Sequence, residues 1–330
     1  MMQGFDPKYR DFPDYILGIT KEIWEDRHIS ALSHHYADDI VVRSPASVVI
    51  GNQRVIAATM ATLAEFPDRA LLGEDVIWSG TPQDGMLSSH RLLSTATHLG
   101  DGAYGKATGK ALRYRIIADC HAINGQINDE WLIRDQGAIV RQMGWQLRDF
   151  ARDQIAREGG PEKCPRPLTP QTDVPGPYTG RGNDSEWGAR HGDLIKRIMA
   201  ADFAAIPTSY DRACSLHLPG GQTGASHGDA DRFWMSLRAA FPDATVSIDH
   251  VIGRDDRLMP PRSAVRWSLH GKHSGWGAYG PPTGAMVYIL GICHAEFGPF
   301  GPQGWGLRRE FIHIDETAIW KQILLHTGEL

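Results

Sequence analysis

The chain has 330 residues, 42% hydrophobic and 22% charged, with a formal net charge of −5 from 34 basic and 39 acidic side chains. That length exceeds one ordinary domain, and the composition is that of a globular protein. No basic excess exists to neutralise a phosphate backbone, so nucleic acid is excluded as a main partner. Cys120, Cys164, Cys214 and Cys293 are dispersed and form no CxxC, which argues against a disulfide framework or zinc knuckle.

The opening MMQGFDPKYRDF carries charges where a secretion signal needs an apolar run. Asp14 is placed to cap a first helix with Ile16, Ile19, Ile23 and Trp24 on one stripe. Ser30 is placed to cap a second, short helix carrying Leu32 and Tyr36, and Ile40-Val41-Val42 is β-rich. A third helix carries Val55, Ile56, Met60 and Leu63 and stops before Pro67. Alternation then predicts strands around 74–78, 90–98, 111–122, 128–134 and 137–143. Six prolines fall between Pro161 and Pro177, after Gly159-Gly160, which predicts an extended strap and no third domain. Beyond it come helices near 190–205 and 229–240. Strands follow around 246–252, 263–272, 285–296, 307–314 and 317–324. Ser274 to Cys293 is free of charge but is broken by Gly277, Gly280, Pro281, Pro282 and Gly284, so it reads as a turn and a buried strand, not a membrane span. The expectation is a cytoplasmic chain without a membrane partner.

The second half repeats the first. HLGDGAYGKATG at 98–109 and HSGWGAYGPPTG at 273–284 agree at eight of twelve positions, an offset of 175. The same offset pairs Arg91 with Arg266 and Phe66-Pro67-Asp68 with Phe241-Pro242-Asp243. An offset of 180 pairs Glu130, Asp135, Ala138, Ile139 and Gln142 with Glu310, Asp315, Ala318, Ile319 and Gln322. Internal repeats decide the fold before any local reading does. The division is therefore 1–150, first copy; 151–185, proline-rich linker; 186–330, second copy. Helices followed by hairpin-connected strands make each copy α+β, a curved antiparallel sheet wrapped around helices as a cone-shaped barrel.

These residues resemble the SnoaL-like polyketide cyclases of the nuclear transport factor two-like superfamily. The resemblance rests on Trp24, ISALSHHYADDIVVRSP, Gly51 and Phe-Pro-Asp in the first copy. In the second it rests on Arg266-Trp267, Gly271, His273, Gly275 and Pro282-Thr283-Gly284, and both copies end in an acid, an aromatic and an aspartate. It implies a cofactor-independent, ring-closing aldol or isomerase reaction on an apolar carbonyl compound of secondary metabolism. An aspartate would act as general acid/base in an apolar cavity. It also implies that the copies pack sheet against sheet as an intrachain pseudo-dimer, with further homo-oligomerisation open.

Asp135 and Asp315 are the candidate acid/bases. Trp131, Ile133 and Asp135 share one strand face, with Glu130, Leu132 and Arg134 on the other, and Phe311, His313 and Asp315 share the face equivalent to the first. Asp-Gln-Gly at 135–137 and Asp-Glu-Thr at 315–317 are equally good turn chemistry, and both readings stand. His98 and His273 precede the repeated glycine loop; they would polarise a carbonyl, or simply cap a strand. Trp131, Tyr104, Tyr279, Phe311, His313 and Trp305 are candidate substrate contacts, Trp305 as a lid or a plug. No histidine shows metal-ligand spacing, and no metal or organic cofactor is expected. The competing expectations are a non-catalytic small-molecule binding protein with the same cavity, and a structural pseudo-dimer with filled cones.

Overall fold

The computed structural model describes residues 2–330. The first copy runs α1 (Phe12–Trp24), α2 (Leu32–His35), β1 (Tyr36–Ser44), β2 (Ser47–Ile50), α3 (Asn52–Glu65), β3 (Ala70–Thr81), β4 (Gly85–Thr97), β5 (Ala111–Ile123), β6 (Gln126–Arg134), α4 (Gln136–Met143) and α5 (Leu147–Arg157). The second runs α6 (Glu186–Met199), α7 (Ala205–Ser209), β7 (Tyr210–Leu218), β8 (Gln222–Ala225), α8 (Ser226–Ala240), β9 (Thr245–Arg254), β10 (Arg262–Lys272), β11 (Met286–Gly298), β12 (Gly306–His313) and α9 (Glu316–Thr327). The sheet orders are β2-β1-β6-β5-β4-β3 and β8-β7-β12-β11-β10-β9, one topology used twice. Each sheet is mixed, not wholly antiparallel: β1 runs parallel to β6 and β7 to β12.

Local chemistry explains most element boundaries. The cap of α1 is Asp11, not Asp14: its side chain accepts from the Asp14 amide at 2.9 Å, with Pro13 in the first turn. Ile16, Ile19 and Ile23 form its buried stripe. Ser30 caps no helix; it lies inside a 3₁₀ turn that runs into α2. Two segments read as strands, 137–143 and 317–324, are the helices α4 and α9. Their short apolar runs fit either period, and the aspartates before them decide the matter by capping. Asp135 accepts from the Ala138 amide at 3.0 Å, and Asp315 accepts from the Thr317 and Ala318 amides at 2.9 and 3.1 Å.

The two sheets pack face to face as a pseudo-dimer. Ile117 and Ile133 of the first copy meet Leu290 and Ile292 of the second, and Ile77 and Leu87 meet Ile252 and Ala264. Charge is buried in the same layer, and it follows the repeat. Arg91 stacks 3.6 Å from the Phe311 ring, and Arg266 stacks 3.7 Å from the Trp131 ring. Each arginine thus covers an aromatic of the opposite copy. Arg266 also donates to Asp119 at 2.7 Å, while Arg91 bonds Glu74 at 2.9 Å. The proline-rich segment is tied into this interface. Leu168 is buried between the sheets, Asp173 and the Val174 carbonyl accept from Arg43 at 2.6 and 2.5 Å, and the Tyr178 hydroxyl meets His250 at 2.7 Å.

Candidate active site

Strand β6 positions the site. Its alternating side chains divide as the sequence predicts, but the faces are exchanged. Glu130, Leu132 and Arg134 line a cavity inside the first cone, whereas Trp131 and Ile133 pack against the second copy. Both faces of this strand are covered, so no polar, solvent-facing side marks which one is inward. The cavity measures about 620 Å³ and is walled by α1, α3 and the strands, with Ile16, Ile19, Leu92 and Ile116 among its apolar residues. That volume suits a small organic ligand.

Two buried acids line this cavity: Glu65, 3% exposed, whose oxygens are taken by His98 and the Ala103 and Tyr104 amides, and Glu130, 6% exposed. The Tyr36 hydroxyl and the Cys120 thiol lie near the Glu130 carboxyl group, and among the described residues Oε2 has no hydrogen-bond partner. Burial raises its pKa to about 7, outweighing the lowering by Tyr36 and Cys120. His90 lines the same space, with Nδ1 3.2 Å from the Ser88 hydroxyl; burial pushes its pKa down to about 4, so the ring is neutral near pH 7. Arg69 and Arg134 also line the cavity, as do Tyr104 and Gln136, whose side chains bond each other.

Of the ten residues singled out from the sequence, Tyr104 lines this cavity. Asp135 sits at the junction of the copies. Besides capping α4, it accepts from the Gly220 and Gly221 amides at 2.8 and 2.9 Å. Gly220 adopts φ +76°, and a Cβ there would collide with the Arg141 guanidinium, so only glycine fits this contact. Asp315 caps α9 and accepts from the Thr317 hydroxyl at 2.6 Å. Burial raises both aspartates to about 6, outweighing their hydrogen bonds. His98 bridges Thr108 at 3.1 Å and Glu65 at 3.2 Å, and Glu65 in turn holds the Ala103 and Tyr104 amides; the histidine anchors the glycine loop. His273 repeats the anchor with Thr283 at 3.0 Å. Trp131 and Phe311 lie between the sheets. His313 is buried beside a smaller cleft between the copies, which Asp135 also lines. Tyr279 packs on Phe241 and Trp320, and Trp305 packs on Trp187 and Phe297, as filling of the second cone.

The second cone is occupied by its own side chains. Trp234 and Trp267, both 0% exposed, stand at the positions of Thr59 and Leu92, which line the first cavity. The acid equivalent to Glu130 is Glu310. It is fully bonded, accepting from Tyr210 at 2.6 Å and meeting His191 at 3.2 Å, where the first copy has Ile16. One fold therefore holds a satisfied carboxylate in a filled cone and an incompletely satisfied one in an open cone.

Residues 15–143 match the family described as SnoaL-like polyketide cyclase. The match lies within the first copy. Solved structures similar to this chain are each about as long as one copy. IdmH from Streptomyces antibioticus is 20% identical, with 40% of this chain and 98% of that chain covered and a TM-score of 0.35. TsrD from Streptomyces laurentii is 17% identical, with 40% and 93% covered and a TM-score of 0.35. A SnoaL-like polyketide cyclase from Agrobacterium tumefaciens is 16% identical, with 40% and 97% covered and a TM-score of 0.33. No curated protein matches the chain. Among the described residues, no helix is long and apolar enough to cross a membrane. The copy that the family model matches is thus the one with the open cone. Glu130, His90, Arg69 and Arg134 were not singled out as its site from the sequence, although strand parity had already placed Glu130 and Arg134 on one face.

Proposed function

We propose that the first copy is a cofactor-independent, cyclase-like enzyme that moves a proton at the carbon beside a carbonyl in an apolar small molecule. Glu130 is the base. Its carboxylate removes the α-proton, the C–H electron pair forms the enolate, and the enolate carbon attacks a second carbonyl of the same molecule to close a carbon–carbon bond. The new alkoxide then recovers the proton from Glu130. An acid whose pKa lies near neutral pH is suited to both transfers. His90, neutral, is a hydrogen-bonding partner for the enolate oxygen and not a second charge.

The observation that supports this reading is that Glu130, a buried acid with one oxygen left without a hydrogen-bond partner among the described residues, lines a cavity of ligand size. Asp135 and Asp315 are assigned instead to helix caps, because their oxygens are engaged by backbone amides. The test is proton exchange in deuterated water at the carbons flanking the ketone of octan-2-one, followed by NMR. The intact chain should accelerate exchange, and Glu130→Gln should remove about 10²-fold or more of that acceleration. Exchange that is equally fast in Glu130→Gln would leave a binding protein with the same cavity.

A further inference from the structure

The first cavity holds two guanidinium groups that the fold does not need. Arg69 is 2% exposed, stacks 4.4 Å from the Trp24 ring and donates from Nε to Ser94 at 3.3 Å, and its Nη1 has no partner. Arg134 reaches the Tyr104 hydroxyl, and its Nε has no partner. Both side chains line the cavity, and they lie close enough for each charge to bear on the other. Neither is matched by a carboxylate at ion-pair distance among the described residues. Asp315, the acid that acts on Arg134 through space, is bonded to Thr317 and Ala318. Two like charges buried together without a counter-ion are costly, and such groups are normally paired.

The repeat supplies an internal control. At the offsets of the two copies, Arg69 corresponds to Ala244 and Arg134 to Ile314. The filled cone folds with an alanine and an isoleucine there, so neither arginine is demanded by the barrel. They occur where the cavity occurs.

We propose that Arg69 and Arg134 form an anion clamp at one end of the first cavity, and that the ligand taken there is an apolar molecule ending in a carboxylate. Planar guanidinium groups match the two oxygens of a carboxylate, and both of these line the cavity that such an anion would enter. Glu130 and Arg134 lie four residues apart on one face of β6, roughly 13 Å along the strand. The clamp therefore sits one medium-length carbon chain away from the base. The inference rests on the reading of this cavity as the substrate site, and it fixes which end of the substrate faces Glu130.

The test compares octanoate with octan-1-ol by calorimetric titration against the intact chain and its Arg69→Gln, Arg134→Gln, Arg134→Lys and Glu130→Gln variants. Octanoate should bind about tenfold or more tightly than the alcohol, a preference that each glutamine variant loses while the alcohol's affinity stays level. Arg134→Lys should keep part of the preference, which a merely misfolded cavity would not. Glu130→Gln should keep it in full. Equal affinity for the two ligands in the intact chain, or a preference that survives both glutamine substitutions, overturns the clamp and leaves the proton-transfer reading intact. Failure of both ligands to bind overturns the substrate site itself, and the clamp with it.

Discussion

Trp234 fills in the second cone the place that Thr59 leaves open in the first. Both positions lie on the helix that ends at Phe-Pro-Asp, seven residues before the phenylalanine, so they are the same position of the repeat. Thr59→Trp should therefore close the first cavity without unfolding the chain and abolish binding of octan-1-ol. The reverse change, Trp234→Thr, removes a fully buried indole and its 3.2 Å hydrogen bond to Tyr210. It should destabilise the chain by about 3–5 kcal/mol, read by denaturant titration. Turnover at Glu130 should be unchanged in that variant under conditions where it remains folded.

Glu130 makes stability depend on pH in an uncommon direction for a carboxyl group. Its pKa is about 7 in the folded chain against an ordinary 4.5, so the folded state holds this proton to higher pH than the unfolded state does. Stability from this group is fully present below 4.5 and is lost as pH rises through 7. The loss is on the order of 3 kcal/mol. Glu130→Gln should be more stable than the parent at pH 8 and should flatten the slope between pH 5 and 8, measured by chemical denaturation. The exchange rate of the parent should rise through about pH 7 and level off above it, as a base of that pKa requires.

The duplication was legible from the offset of 175, because a repeated loop of eight identities in twelve needs no structure to be seen. The parity of β6 was legible too: Glu130 with Arg134 on one face, Trp131 with Ile133 on the other. What parity could not tell is which face lines the cavity. In a lone barrel the outer face meets water and declares itself by polarity. Here it meets the other copy, so Trp131 and Ile133 are as apolar as any lining. The capping role of the aspartates was hidden for a related reason. Asp135 and Asp315 end an apolar strand face, and only the helices that follow show them to be caps. The anchors His98 and His273 are repeated because the glycine loop is repeated. Arg69, by contrast, has no echo in the second copy; that lack of symmetry was the available signal for a site.

Asp135→Ala separates capping from chemistry. The substitution removes one N-cap acceptor and two acceptors for amides of the second copy, at Gly220 and Gly221. The expected cost is about 1–3 kcal/mol, measured by thermal or denaturant unfolding, with ketone exchange unchanged in the folded protein. A loss of exchange of 10²-fold or more with native stability would return the catalytic role to Asp135.

Arg266 and Asp119 join the two sheets through a buried charge pair, with the guanidinium stacked on Trp131. Burial raises the pKa of Asp119, and Arg266 and Ser89 only partly offset this. Its second oxygen has no hydrogen bond. Arg266→Met leaves that acid without its counter-ion between the two sheets, and should cost about 3–5 kcal/mol. Asp119→Leu strands the arginine instead and should cost a similar amount. The double substitution leaves no charge unpaired and should recover most of the loss, because a buried pair contributes little net stability over an apolar replacement of like size. A double-mutant cycle measured by denaturation decides the point. Additive losses would show that the pair is not what joins the copies, and that the cost of each substitution comes from packing around Trp131.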